Sequence, residues 1–242
     1  MNNFSPELFG RSFGEVTIDY INGIGKFTSP IFHIITLVIF IMVIFKGNKN
    51  LKCFTVYYLS NYIWIFLFVG LYISFLLHQK MGISFLIFWG PVPFLLLFIL
   101  LNWVRELKVK RNNLTLKNFP KYRFVVLPII IFGFWYPSYT WGVGFTFSLK
   151  DLFFSSYGLM PCPTTMVVLG LLTLKYPDVN KGLFYSLTLF SIMVGTAQFA
   201  IGYIPDYPLA ILGYYCLILI LLEKITHLKK ATHKNKLRVT DC

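Results

Sequence analysis

Charged residues are scarce in this sequence, and acidic residues are the scarcest of them. Of 242 residues, 13% are charged and only 9 are acidic, whereas 57% are hydrophobic. A soluble domain carries roughly a quarter charged residues and could not bury this much apolar surface. The composition therefore excludes an ordinary soluble domain and predicts an all-α membrane protein that uses the bilayer as its solvent.

The signatures of several functional classes are also missing. The four cysteines show no C-x-x-C spacing of a metal or redox site, and no Walker loop, G-x-S-x-G or H-E-x-x-H motif occurs. The first 26 residues contain three acids and lack the apolar run of a cleavable signal peptide. We therefore expect the first membrane span to direct insertion itself.

Long apolar runs are what the sequence does contain. A membrane-spanning helix needs about 20 mostly apolar residues, and the pattern predicts a bundle of about seven transmembrane helices. The predicted spans are 30–45, 54–78, 83–104, 124–141, 159–174, 182–203 and 208–222. Together they predict a single transmembrane domain over residues 1–226.

Prolines and apolar spacing refine these spans. Pro30 is expected to start the first span, because proline suits the first turn of a helix. Pro91, Pro93, Pro128 and Pro137 are expected to kink or break their spans. Residues 1–28 predict an amphipathic N-terminal helix, which lies either on the membrane surface or over the bundle as a lid.

The basic residues predict the orientation. The net charge is +13, and 18 of the 22 basic residues fall in segments 46–53, 104–123, 175–181 and 223–242. Basic loops stay on the cytosolic side, so we expect an outer N-terminus, a cytosolic C-terminus and a basic cytosolic tail over 227–242. Such a face favours contact with anionic lipid head groups over nucleic acid. The oligomeric state stays open.

The most unusual local pattern is Met160-Pro-Cys-Pro-Thr-Thr165 at the start of an apolar helix. A helix N-terminus favours thiolate, so Cys162 together with Met160 could bind a soft metal ion. In the alternative interpretation, the prolines start a helix and Cys162 is a small packed apolar residue.

The predicted orientation brings further candidates to the same side. His33, His78 and Asp206 all lie near the outer ends of predicted spans. The sequence thus predicts a soft or transition metal site near the outer face, formed by Cys162, Met160, His33, His78 and Asp206. In the alternative, the histidines are interfacial and Asp206 bonds its own turn.

These features favour a transporter or channel-like protein for a small solute or metal ion. A non-catalytic membrane subunit, receptor or assembly factor is the alternative. An enzyme with Cys162 as its nucleophile is disfavoured, because the sequence offers no base beside it.

The segment from Tyr157 to Thr165, with its Gly-x-x-Pro-Cys-Pro-Thr-Thr run, resembles the DUF6064 family of bacterial polytopic membrane proteins of unknown function. Phe9-Gly10 and Pro205-Asp206 are similar to the opening and closing parts of that family. The resemblance implies many spans in a prokaryotic cytoplasmic membrane, but no activity. Where the family has a Gly-His-Tyr-Pro-like run, this chain has Trp135-Tyr136-Pro137, without the histidine.

Overall fold

The computed structural model describes residues 6–46, 51–82, 89–109, 120–140 and 144–240. Within these ranges the chain is almost entirely helical, apart from turns and a two-stranded hairpin. The predicted helical class is therefore confirmed. Cys242 and Trp141 lie outside the described residues, as do the side chains of residues 6–11, 43–46, 109 and 227–240.

The chain begins with one long helix instead of an amphipathic helix followed by a separate span. This helix consists of α1 (Pro6–Tyr20), a π-helical turn (Ile21–Gly25) and α2 (Lys26–Lys46). Pro30 lies inside α2, so the prediction that it starts a span is wrong. The π-helical turn changes the hydrogen-bond register just before the proline, where the helix lacks one N–H donor.

The second long helix packs alongside the first. It consists of α3 (Leu51–Ile65), a π-helical stretch (Phe66–Ile73) and α4 (Ser74–Met81). The Lys80 ammonium lies 2.9 Å from the Glu15 carboxylate, and the Trp64 indole donates to the Tyr20 hydroxyl at 2.8 Å. The first contact joins α1 to α4, and the second joins α1 to α3.

Prolines begin the next helices rather than kinking them. These helices are α5 (Pro91–Val109) and α6 (Leu127–Trp135), the latter preceded by a 3-10 turn (Lys121–Val126). Pro91, Pro93 and Pro128 all lie in a first helical turn, so they do not kink the helices that follow them. Residues 83–88, which precede Pro91 in the predicted span, lie outside the described residues. A first-turn residue has no helical acceptor for its N–H, which makes proline harmless there.

The fourth predicted span ends earlier than expected, at Trp135. Tyr136 has φ 36° and ψ 77°, in the left-handed region, and Pro137 follows. The residue before a proline is disfavoured in the α region, which explains the end of the helix. An antiparallel hairpin follows, formed by β1 (Ser138–Thr140) and β2 (Gly144–Thr146), with Tyr139 opposite Phe145.

The centre of the fold is α8 (Pro161–Lys175), which follows a short helix α7 (Asp151–Phe154). Almost every residue of α8 is buried, and the helix contacts α6, α9 and α10. Glycines bring α6 close to it. A Cβ added at Gly133 would lie 2.7 Å from the Met166 Cβ, and one at Gly170 would lie 2.4 Å from the Ile130 Cγ1.

The last two long helices form a tight hairpin. They are α9 (Lys181–Ala200) and α10 (Tyr207–Thr240), joined through a 3-10 turn (Ile204–Asp206). A Cβ added at Gly195 would lie 2.6 Å from the Ala210 nitrogen, so the two helices touch at their backbones. The helix α10 continues to Thr240 through the residues predicted to form a separate tail.

Four helical segments are long and apolar enough to cross a membrane. They are Ser12–Met42, Leu51–Met81, Lys181–Ala200 and Ile204–Thr226, and Pro161–Lys175 is a shorter apolar helix. Large apolar side chains such as Phe27, Phe94 and Ile131 are exposed on the outside of the bundle. This distribution is compatible with a membrane protein whose outer surface faces lipid.

Candidate functional site

Asp206 is a buried carboxylate that connects three parts of the fold. Its side chain is 2% exposed. The Tyr136 hydroxyl donates to Asp206 Oδ1 at 2.7 Å, and the Cys162 thiol is hydrogen-bonded to the same carboxylate. The Tyr136 and Tyr203 hydroxyls are hydrogen-bonded to each other. The structure therefore brings together two of the predicted site residues, Cys162 and Asp206.

Local backbone geometry places the side chains of Cys162, Asp206 and Tyr136. Pro161 and Pro163 lie in the first turn of α8 and put the Cys162 thiol at a helix N-terminus. Asp206 ends the 3-10 turn that leads directly into α10. Tyr136 reaches inward because it leaves α6 in the left-handed conformation. Two helix N-termini and one helix C-terminus thus meet at the carboxylate.

Tyr136 is the member of this site that the sequence analysis missed. A tyrosine near the end of an apolar run indicates an interfacial aromatic residue. Tyr136 is instead 9% exposed and bonded to Asp206. The only sequence signal for a different role is Pro137, because an X-Pro pair ends helices and redirects the residue before the proline.

His33 lies in a different polar cluster. It is fully buried in α2, with Nδ1 2.9 Å from the Ser29 carbonyl oxygen and Nε2 3.0 Å from the Ser155 hydroxyl. Nε2 also lies 3.2 Å from the Phe134 carbonyl oxygen. Both ring nitrogens therefore contact protein atoms, and neither contact is with Cys162 or Asp206.

Met160 and His78 complete the predicted metal set. Met160 is buried at the N-cap of α8, two residues before Cys162. His78 is exposed in the last turn of α4. Across the described ranges, no group of three or more His, Cys, Asp or Glu residues is arranged to hold a metal ion. Within the described ranges, a metal at Asp206 and Cys162 would therefore need its further ligands from other residue types or from water.

A third buried cluster consists of hydroxyl groups around Tyr157. The Thr36 hydroxyl lies 2.6 Å from that of Tyr57 and 3.0 Å from that of Tyr157. The Tyr157 hydroxyl also lies 3.0 Å from that of Tyr58. The Asn61 side chain donates to the Gly158 carbonyl at 2.8 Å. These bonds tie α2 and α3 to the segment leading into α8.

The opposite end of α8 is held by charged groups. The Arg123 guanidinium donates to the Leu174 carbonyl at 3.3 Å and to the Tyr176 carbonyl, which satisfies the C-terminal carbonyls of α8. The Tyr176 hydroxyl donates to Glu223, which also pairs with Lys181 at 2.6 Å. Burial raises the pKa of Tyr176, and the Glu223 carboxylate raises it further, so this hydroxyl remains a donor.

The chain was compared with known families, curated proteins and solved structures. The model of the family of unknown function DUF6064 matches residues 12–231. No curated protein and no solved structure matches the chain. The family match includes the buried Cys162, Asp206 and Tyr136, and it covers nearly the whole chain. The chain therefore belongs to the DUF6064 family, whose function is unknown.

Proposed function

We propose that this chain is a polytopic membrane protein that binds a divalent transition metal ion at Asp206 and Cys162 and carries it across the bilayer. The observation that supports the proposal is a buried carboxylate whose described neighbours are all neutral donors. Among the described residues, no basic side chain pairs with Asp206. An ionisable group inside a membrane bundle is expected to be functional, because its burial is costly.

The proposed topology comprises about seven spans, with the N-terminus outside and the C-terminus in the cytosol. The 18 basic residues in alternate connecting segments and in the tail support this arrangement, because basic loops remain on the cytosolic side. In this orientation the Asp206 site lies near the outer face of a cell membrane. The basic end of the bundle then faces the anionic lipids of the inner leaflet.

Charge and ligand type favour a divalent metal over other solutes. Metal binding would replace the thiol proton of Cys162, which leaves to solvent, so that one thiolate and one carboxylate neutralise the two positive charges. A sulfur ligand beside a carboxylate suits a borderline ion such as Zn²⁺. The Tyr136 oxygen, the Met160 sulfur or water would supply the remaining ligands.

The test measures the metal content of the purified protein and its transport of metal into proteoliposomes. After removal of metals and reloading with Zn²⁺, we expect about one bound ion per chain, with loss of binding in Cys162→Ala and Asp206→Asn. Cys216→Ala is the matched control, because Cys216 is also a buried cysteine, on α10, bonded to Thr173 instead of a carboxylate. Zn²⁺ uptake into proteoliposomes should fall in the same two variants.

Metal binding and metal transport can be refuted separately. Equal Zn²⁺ content in Cys162→Ala and in the unchanged protein would refute the metal site. Binding without uptake would refute transport and would favour the second candidate, a receptor, subunit or assembly factor. We retain this second candidate because the described ranges contain no cluster of three metal-binding residues.

A further inference from the structure

An apolar surface is exposed on the connection between α6 and α8, outside the long helices. This surface, the hairpin–α7 unit, consists of residues 138–140 and 144–154. In this unit Phe147 is 65% exposed and Leu149 is 78% exposed. Phe153 and Phe154 on α7 are exposed as well. A cluster of large exposed apolar side chains on a connecting segment indicates a surface that contacts lipid or another protein.

Hydrogen bonds hold the backbone of this unit in place. The Ser138 N–H and hydroxyl both donate to the Asp151 carboxylate, each at 3.3 Å, which joins β1 to α7. The Trp135 indole donates to the Ser148 carbonyl at 3.0 Å, which joins the unit to the last turn of α6. The exposed apolar side chains are therefore carried by a backbone with fixed contacts.

One flank of the unit lies beside α6. The Phe145 ring on β2 lies 6.0 Å from the Phe132 ring, and the Phe147 ring lies 6.2 Å from the Trp135 ring. Ile131 is exposed on the outside of α6, four residues before Trp135 and therefore on the same face of the helix. The exposed surface of the unit is thus continuous with the apolar face of α6 that is expected to contact lipid.

The other flank of the unit lies against α2. The Ser29 hydroxyl of that helix donates to the Phe153 carbonyl at 3.2 Å. On the same stretch of α2, Phe27 and Ile31 are exposed. The unit is therefore bordered on both sides by helices with exposed apolar side chains.

The position of the hairpin along the bundle completes a span that is otherwise too short. The 3-10 turn and α6 together extend for at most about 26 Å, whereas the hydrocarbon layer is about 30 Å thick. The Tyr139 ring lies 5.6 Å from the Tyr203 ring, so the hairpin is at the Asp206 end of the bundle. In the proposed orientation this is the outer end.

We propose that the hairpin–α7 unit lies in the outer leaflet, at the boundary between head groups and acyl chains, and that phospholipid covers its exposed apolar side chains. Aromatic residues are favoured at this boundary. The exposed hydroxyls of Thr140 and Thr146 and the open edges of the two-stranded hairpin need water or head groups as partners, which excludes the hydrocarbon centre. The exposed Lys150 ammonium can reach the head groups. The inference rests on the membrane topology of the proposed function and not on metal binding.

The experiment measures the depth of a nitroxide label on the full-length protein in a phosphatidylcholine bilayer. The label is attached to Phe147→Cys or Leu149→Cys in a Cys53→Ser/Cys242→Ser background, in which the two remaining cysteines are buried. Molecular oxygen concentrates in the bilayer, and a nickel chelate stays in water. The power saturation of the nitroxide signal reports how often each reagent meets the label.

Two matched variants calibrate this measurement. Ile131→Cys marks the apolar surface of α6, and Asp178→Cys marks an exposed polar connection before α9. We expect the ratio of the oxygen effect to the nickel effect to be several-fold higher at positions 147 and 149 than at Asp178. The ratio should be higher still at Ile131. Leu149 makes the more exposed site, so its variant should fold even if Phe147→Cys, which loses the contact with Trp135, does not.

The possible outcomes separate this inference from the proposed topology. Labels at 147 and 149 that match the one at Asp178 would place the unit in water and overturn the inference, while a lipid-exposed Ile131 would leave the topology intact. Labels shielded from both reagents would mean that protein covers the surface, which also overturns the inference. If the label at Ile131 is itself exposed to the nickel chelate, the proposed topology fails as well.

Discussion

The contact between Gly195 and Ala210 gives a sharp test of how the last two helices pack. In Gly195→Ala, the new methyl group would lie 2.6 Å from the Ala210 nitrogen and 2.8 Å from its Cα. Both of these atoms belong to the backbone and cannot rotate away. To reach the ordinary separation of 3.4 Å, α9 and α10 must move apart by about 0.8 Å.

Overpacking of this kind costs about 1–3 kcal/mol, and we expect the free energy of unfolding to fall by that amount. The same displacement acts on the turn that carries Asp206, because Ala210 is only four residues further along the chain. The proposed Zn²⁺ binding should therefore weaken together with stability. The assay is thermal unfolding in detergent, with and without Zn²⁺.

Gly14→Ala is the control, because nothing lies within 4 Å of a Cβ at Gly14. This change should be neutral or stabilising by up to about 1 kcal/mol, since glycine weakens a helix relative to alanine. A Gly195→Ala protein as stable as Gly14→Ala would refute the close contact between α9 and α10.

Two further predictions concern the C-terminal end of α8 and the thiols. Arg123→Gln should lower the free energy of unfolding by about 1–3 kcal/mol, because the Leu174 and Tyr176 carbonyls lose their donor. The control is Lys121→Gln, since Lys121 is exposed in the same turn, and it should change the free energy of unfolding by less than about 0.5 kcal/mol. Chemical denaturation measures both, and equal effects would contradict the capping role of Arg123. The second prediction uses a Cys242→Ser background, in which three cysteines remain. A maleimide should label only Cys53 in the folded protein, because Cys162 and Cys216 are buried. After unfolding it should label all three, and mass spectrometry counts the labels. Rapid labelling of Cys162 under native conditions would contradict its burial.

The positions of the helices could be predicted because long apolar runs have few alternatives to helix in a membrane. The ends of the helices could not be predicted as well. Pro91 and Pro93 lie within an apolar run, and the sequence does not show whether the helix precedes or follows them. In the structure the helix follows them, so the two residues are harmless. Pro30, inside α2, shows the opposite outcome for the same residue type.

The pairing of Cys162 with Asp206 could be predicted only as far as a shared membrane face. The two residues are far apart in the sequence, and their contact depends on how α8 and α10 pack. His33 has a comparable predicted depth, yet its side chain meets Ser29 and Ser155 instead. Nearly every face of α8 is apolar and buried. Its sequence therefore does not show which side of the helix faces a given neighbour.

The length of α10 has a mechanical consequence. Its 34 residues extend for about 51 Å, whereas the hydrocarbon layer is about 30 Å thick. Asp206 immediately precedes the first residue of this helix, and the helix continues unbroken to Thr240. The carboxylate and the basic C-terminal segment thus lie at opposite ends of one continuous helix. A protein or lipid surface that tilts the basic end would displace Asp206 without any hinge in between.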